Sequence, residues 1–247
     1  MILFFIILTG ATIASFIGSL SYRAPRNVSI ITPPSYCPAC RSRLKPFELI
    51  PVVSYAVLRG RCRHCGNRIS PRYLILEILV PAAYVVIYLR VGPWHVTVLV
   101  SYLMTALIYL SVVDIEQRRL SYWDMLSVYV GAFILVALAA TGNMPHPMPH
   151  YLFGLLIAAV LVSLSAGVVY ALKRRPPLGV ADVLVLPGVA LHFGALEAAR
   201  VLVFSSLAGI IAAGFLISLK KLGREYRFPM MPFVAAGVLV EISFFSY

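Results

Sequence analysis

Eight apolar stretches alternate with polar loops along the chain. They run near residues 1–20, 73–89, 95–113, 125–141, 151–172, 183–196, 201–219 and 230–247. A bilayer core of ~30 Å takes roughly 20 apolar residues per spanning helix, so the pattern predicts about eight transmembrane helices. The sixth stretch is short and broken by Pro187-Gly188, and its helix is expected to begin inside the preceding loop. Segment 1–20 has no basic stretch ahead of it and no small-residue cleavage site, and reads as a retained anchor rather than a signal peptide. Between the first two stretches lies a polar insert, residues 21–72. The expected organisation is therefore a first transmembrane helix (1–20), the insert (21–72) and a seven-helix membrane domain (73–247), an all-α polytopic membrane protein. No internal repeat of 20–50 residues stands out.

Composition strengthens this reading. The chain is 61% apolar and 12% charged, whereas a soluble domain carries about a quarter charged residues. A mean hydropathy of +0.91 points the same way. A soluble enzyme, a disordered chain and a disulfide-stapled secreted module are excluded.

Charge then sets the orientation. Twenty-one Lys and Arg against nine Asp and Glu leave a formal net of +12. Loops 21–72, 114–124, 173–182 and 220–229 hold ten, two, three and four Lys/Arg, which is 19 of the 21. Basic loops stay on the cytosolic side, so these four face inward and both termini face out. Only Arg90 and Arg200 fall outside, and the outer loop 142–150 has no Lys or Arg. Basicity here reports topology; the expected partner is the lipid bilayer, not nucleic acid.

All four cysteines lie in the insert, as Cys37-Pro-Ala-Cys40 and Cys62-Arg-His-Cys65. Two C-x2-C pairs at this separation have the spacing of a structural Zn²⁺ ribbon or knuckle. On the cytosolic side a lasting disulfide is disfavoured. Two redox dithiols, or a Cys3His site using His64, are the alternatives. Ten positive residues less Glu48 give the insert a charge of +9. A segment of this size builds little core, so a metal staple would supply folding energy.

Ionisable groups at membrane depth are expensive and point to function. Asp114 ends the third stretch and Asp182 opens the sixth, both at the expected cytosolic boundary. Two carboxyls sharing a site hold one proton between them. The ionised member takes a proton from water while the protonated one polarises a carbonyl, as in aspartic proteases. The bland reading makes both aspartates markers of helix ends, with Asp182 as an N-cap. Asp124, after Trp123, suits a helix N-terminus. Glu116 reads as a solvated loop acid, and Glu77 is expected to face other helices or the insert. Glu197 and Arg200 have the spacing of a local ion pair, and Glu241 has no evident partner. His192 reads as a hydrogen-bonded core histidine. His95, His146 and His150 lie outside with no carboxylate cluster in view.

Taken together, the chain resembles the type IV prepilin peptidase family, bifunctional leader peptidases and N-methyltransferases. The resemblance runs through Ser15-Phe16, Tyr22-Arg23, the two cysteine pairs, Glu48-Leu-Ile-Pro51, Ile69-Ser-Pro-Arg-Tyr73 and Glu77. It ends on Phe228-Pro-Met-Met-Pro-Phe-Val-Ala-Ala-Gly237. The Glu-Leu-Ile-Pro insert is similar to that of competence-type members. The resemblance implies that Asp114 and Asp182 are the catalytic pair and that Cys37, Cys40, Cys62 and Cys65 bind structural Zn²⁺. It implies prepilins or pseudopilins as substrates, cut after a Gly at the cytosolic face of the bacterial inner membrane. It also implies S-adenosylmethionine as donor for methylating the new N-terminus, with the insert as part of the methyltransferase. Where the family has Gly-x-Gly-Asp-x-Lys this chain has Gly179-Val-Ala-Asp-Val-Leu184; Ser121-Tyr122 and Gly18 also depart from the family pattern. The alternatives from other classes are a non-catalytic scaffold of the same fold and a proton-coupled transporter.

Overall fold

The computed structural model describes residues 1–32, 34–118, 120–173, 180–218 and 228–245, and the side chains of 165, 166, 169, 172, 173 and 180–182 fall outside that description. The described chain is helical. Its main helices are α1 (Ile2–Arg23), α2 (Val53–Val57), α3 (Arg72–Val91), α4 (Trp94–Gln117), α5 (Tyr122–Ala140), α6 (Met148–Lys173), α7 (Val180–Phe193), α8 (Ala195–Ser218) and α9 (Met231–Phe244). Each apolar stretch expected from the sequence carries one of the eight long ones. Five of them, α1, α3, α4, α5 and α8, are long and apolar enough to cross a bilayer. The apolar helical segments Met148–Leu164, Val183–Phe193 and Met231–Phe244 are shorter, so the count of eight spans is approximate. As expected, α7 starts ahead of its apolar run and keeps Pro187 within the helix.

The helices group into two compact units, residues 1–86 and 87–247. In the first, α1 and α3 pack through small residues: a Cβ at Gly10 would stand 2.7 Å from the Pro81 Cα. Close backbone approach of this kind is how apolar helices associate where lipid is as apolar as leucine. The buried Arg23 ends α1 and organises the chain that follows. It donates to the carbonyls of Ser29, Ile30 and Pro34 and lies over the Tyr36 ring. The insert holds two short 3-10 turns, α2 and two isolated antiparallel bridges. Val52, before α2, has φ 63°, a strained angle for a β-branched residue. Its N–H donates to Glu77 Oε2 at 2.6 Å, so Glu77 faces the insert from α3 and pins that turn.

In the second unit α4 is central. Its apolar window is 61% buried against 17% for α8, which leaves α8 exposed at the periphery. Local signals place the helix ends. Ser121 caps α5 in a reciprocal box with Asp124, so Asp124 is a capping residue as expected. Tyr109 of α4 donates to the other oxygen of Asp124, tying α4 to α5. The turn between α7 and α8 is made at Gly194, φ 98°, where a side chain would be strained and would also strike the His150 ring.

The α8–α9 packing bears out the Glu197–Arg200 pair and adds a partner for Glu241. Arg200 does lie near Glu197 (3.6 Å), but its principal partner is Glu241, 2.7 Å from Nη2 and 3.0 Å from Nε. Glu241 is 2% exposed, so its charge inside α9 is compensated from α8. His150 also has a carboxylate neighbour, contrary to expectation. Its Nε2 lies 3.7 Å from Glu197 and 3.0 Å from the Phe193 carbonyl, and its ring stacks on His146. The sequence concealed both contacts because the partners are 41 and 47 residues apart. His192 accords with its reading: buried, with Nδ1 2.9 Å from the Gly188 carbonyl.

Removing one partner of a buried ion pair leaves an uncompensated charge and costs about 3–5 kcal/mol. Arg200→Ala is therefore expected to destabilise the bundle by about that much in thermal unfolding in detergent, and Glu241→Gln by less. Equal, near-zero shifts in both would show that the pair is not formed.

Candidate functional site

The cysteines form the most completely described site. Their four sulfurs lie within 4.8 Å of one another, with Cys37–Cys65 at 3.9 Å and Cys40–Cys62 at 4.0 Å. A tetrahedral ion with metal–sulfur bonds of about 2.3 Å needs sulfur–sulfur edges of about 3.8 Å. A disulfide needs about 2.05 Å, and all four are free thiols. Both of these approaches run across the two motifs, and all four sulfurs fall within reach of one ion, which favours one shared site over two separate dithiols. His64 is not in the cluster; its backbone N–H donates to the Cys62 sulfur at 3.4 Å. The four cysteines could thus hold one metal ion.

Each pair is a knuckle, and the two are copies offset by 25 residues. Cys37 N–H donates to Ser42 O and Cys62 N–H to Asn67 O; Arg41 donates to Cys37 O and Gly66 to Cys62 O; Leu44 donates to Ser35 O and Ile69 to Gly60 O. Arg41 and Gly66 both take left-handed angles. The bridges Tyr36–Arg43 and Arg61–Arg68 complete the match. The knuckles are thus a repeat of the backbone, one that does not stand out in the sequence. Of the ten equivalent positions, 35–44 and 60–69, only the cysteines and Arg43/Arg68 are shared, too few to register as a sequence repeat.

The thiols are not equivalent. The Ser42 hydroxyl, 3.0 Å from the Cys40 sulfur, and the Ser42 amide hold the Cys40 thiol down to about 6. For Cys65 the Asn67 amide pulls the same way, but lost solvent and the neighbouring sulfurs outweigh it and push that thiol up to about 11.

The aspartates occupy the second unit. Asp114 is half-buried in the last turn of α4, whose C-terminus closes with Arg118 in a left-handed conformation. Its Oδ2 accepts the Met231 N–H at 3.1 Å, so the carboxylate sits on the N-terminus of α9. Orphan amides and a partial positive charge make that end of a helix a natural seat for an anion. Sequence reasoning missed this contact, which joins residues 117 apart; the only signal was the Pro232 near the start of α9. Asp182 lies in the first turn of α7. Its side chain, like Gly179 of the preceding segment, lies outside the described residues, and so does that of Ala181. Two residues on, the Leu184 carbonyl accepts the Tyr129 hydroxyl. Gly188 lets α7 approach α5 closely, its Cβ position lying 3.0 Å from Val128. The tyrosines of α4 and α5 thus link the Asp114 helix to α5 and α5 to the Asp182 helix. Gly18, one departure from the family pattern, faces the Tyr73 ring at 2.8 Å, where a larger residue would collide.

Comparison with known proteins places this arrangement. The profile of the Bacterial Peptidase A24 N-terminal domain matches residues 8–91, and that of the Type IV leader peptidase family matches residues 101–215. The second segment contains both aspartates. The chain belongs to the type IV prepilin leader peptidase family. It is 28% identical over 231 residues to a prepilin leader peptidase/N-methyltransferase of Bacillus subtilis, covering 94% of this chain and 90% of that one. A type 4 prepilin-like proteins leader peptide-processing enzyme of Escherichia coli is 28% identical, over 75% of this chain and 68% of its own. A prepilin leader peptidase/N-methyltransferase of Myxococcus xanthus is 30% identical, over 84% of this chain and 61% of its own. No solved structure matches the chain.

The purified protein is expected to carry about one metal ion per chain, lost together with insert stability on Cys37→Ser or Cys62→Ser. In chain stripped of metal, Cys40 should alkylate ahead of Cys65 at pH 7, because Ser42 holds the one thiol down while burial and the neighbouring sulfurs push the other up, and Ser42→Ala should slow Cys40 about tenfold. A folded, metal-free insert with four equally reactive thiols would contradict both.

Proposed function

We propose that this protein is an intramembrane aspartyl endopeptidase that removes the short leader of type IV prepilins or pseudopilins. Prepilin processing in general follows from the family; the aspartyl mechanism is the reading offered here. The observation that carries it is Asp114: a half-buried carboxylate at the end of an apolar helix, seated on the α9 N-terminus, within the segment matched to the leader peptidase family. Asp182 is its proposed partner. One carboxylate, ionised, takes a proton from water; the other, protonated, donates to the scissile carbonyl oxygen. Water attacks the carbonyl carbon, the peptide C–N bond breaks, and the amine leaves with a proton. The Met231 N–H fixes the Asp114 rotamer, so one member of the pair is held before substrate arrives.

The excess of Lys and Arg in loops 21–72, 114–124, 173–182 and 220–229 supports a multi-pass protein with insert and aspartates on the cytosolic side of the inner membrane. Cleavage then falls after a Gly where a basic leader meets its hydrophobic helix. The metal of the insert is Zn²⁺ in this reading, chosen for four thiolates in tetrahedral reach. Its role is to hold the two knuckles together. Methylation of the new amine from S-adenosylmethionine is supported by the names of the relatives alone. No residue described here is assigned to that cofactor.

The test is leader cleavage by the purified membrane protein, with the product's N-terminus read by mass spectrometry. Wild type should cut a cognate prepilin after Gly, while Asp114→Asn and Asp182→Asn, both folded, should lower the rate by at least about 10³. Cleavage that survives either change would exclude the aspartyl pair. A gain of one methylene in mass, dependent on S-adenosylmethionine, would add the transferase.

A further inference from the structure

The two knuckles share one backbone template but place their charges differently: Arg41 and Arg43 in the first, Arg61, Arg63 and Arg68 in the second. At the base of the first, the bridge joins Tyr36 to Arg43; at the base of the second, it joins Arg61 to Arg68. Residues opposed in an antiparallel bridge project on the same side, and like charges held there repel. Arg59, itself in a left-handed conformation, lies two residues away. These three arginines line an open groove of about 550 Å³ with Tyr55, Ser70 and Pro71.

The groove is built rather than incidental. Its floor is the buried Gly60, whose carbonyl accepts the Ile69 N–H at 2.8 Å, and the Tyr55 hydroxyl lies 3.5 Å from the Ile69 carbonyl. Arg23, Arg26 and Arg63 of the insert are engaged, on three carbonyls, on the Tyr22 carbonyl and over the Phe47 ring, whereas Arg41 and Arg43 of the first knuckle lie outside the groove lining. The guanidinium groups of Arg59, Arg61 and Arg68 have no hydrogen-bond or ion-pair partner among the described residues. Nor does the first unit hold an acid beside them. Residues 1–86 contain only Glu48 and Glu77, and both accept backbone N–H groups elsewhere, from Lys45 and Val52.

Position supplies the ligand. Pro71 immediately precedes α3, which at 20 residues is long enough to cross a bilayer. The mouth of the groove therefore lies at headgroup depth. Three free guanidinium forks, a serine hydroxyl and a tyrosine match the oxygens of a phosphate. We propose that the Arg59–Arg61–Arg68 groove binds the phosphate of an anionic phospholipid headgroup and so seats the insert on the membrane surface. The bilayer presents that phosphate at high effective concentration, which favours a lipid over free phosphate. The inference rests on α3 being a membrane span and is independent of whether the chain cleaves prepilins.

The experiment uses the full chain in phosphatidylcholine nanodiscs with a stepped fraction of phosphatidylglycerol, reading deuterium uptake over residues 59–71. Uptake should slow as phosphatidylglycerol rises, and 10 mM (roughly physiological) inorganic phosphate in pure phosphatidylcholine should not reproduce the effect. The double change R61Q/R68Q should weaken the apparent affinity about thirtyfold, at about fivefold per arginine, whereas R41Q/R43Q, removing equal charge from the first knuckle, should leave it nearly intact. Metal content reports whether both knuckles remain folded, and R59Q, outside either knuckle, gives an independent loss of about fivefold. Uptake indifferent to phosphatidylglycerol, protection by free phosphate alone, or equal losses in the two double variants would each overturn the proposal.

Discussion

A charge placed inside an apolar helix bundle has no water to turn to, and the architecture of the second unit follows from how its charges are satisfied. Asp114 finds the amide end of α9. Glu241, further along the same helix, finds Arg200 of α8. The helix is thereby fixed at its first turn by one acid and at its last by another, while Gly237 lets its backbone press against α8, where a Cβ would meet the Val201 carbonyl at 2.8 Å. The first unit obeys the same rule: Glu77 is placed on α3 where it can take up the N–H of the strained Val52 turn. Acids at membrane depth are costly, and here each one described is also a clamp. A clamp at Asp114 suits a catalyst, because a carboxylate fixed in advance loses little entropy when substrate arrives.

The insert solves a different problem. It carries ten positive residues and too few apolar ones for a core, and its order comes from two knuckles converging on four sulfurs. Duplication of one template gives the cluster its near-symmetry. The same template carries different side chains in each copy, and in the second Arg61 and Arg68 sit across one bridge close to the start of α3.

Hydropathy located every long helix, because an apolar run of bilayer length has few other uses. The C-x2-C spacing located the cysteine cluster, and the position of Asp124 placed it at a helix N-terminus; these are local relations, readable at fixed short offsets. What escaped was tertiary. Arg200 was matched to the acid three residues away, whereas the fold offered Glu241 41 residues on. Asp114 could be singled out by its depth but not joined to Met231, and His150 could not be joined to Glu197. Val52 had no glycine to flag its backbone angle. The knuckle repeat was hidden because hydrogen bonds between main-chain groups, not side chains, carry it. The aspartate dyad stands apart from these, since the side chain of Asp182 lies outside the described residues.

That dyad is the central claim, and the composition makes it measurable. The chain contains only three aspartates, Asp114, Asp124 and Asp182, so carboxyl-labelled aspartate gives three NMR signals to follow across pH in detergent. Two carboxyls that share a proton titrate as a pair rather than singly. If Asp114 and Asp182 share a proton, Asp182→Asn moves the titration of Asp114, Asp114→Asn moves that of Asp182, and Asp124 is indifferent to both. Titrations of Asp114 and Asp182 that stay the same whichever partner is removed would contradict it.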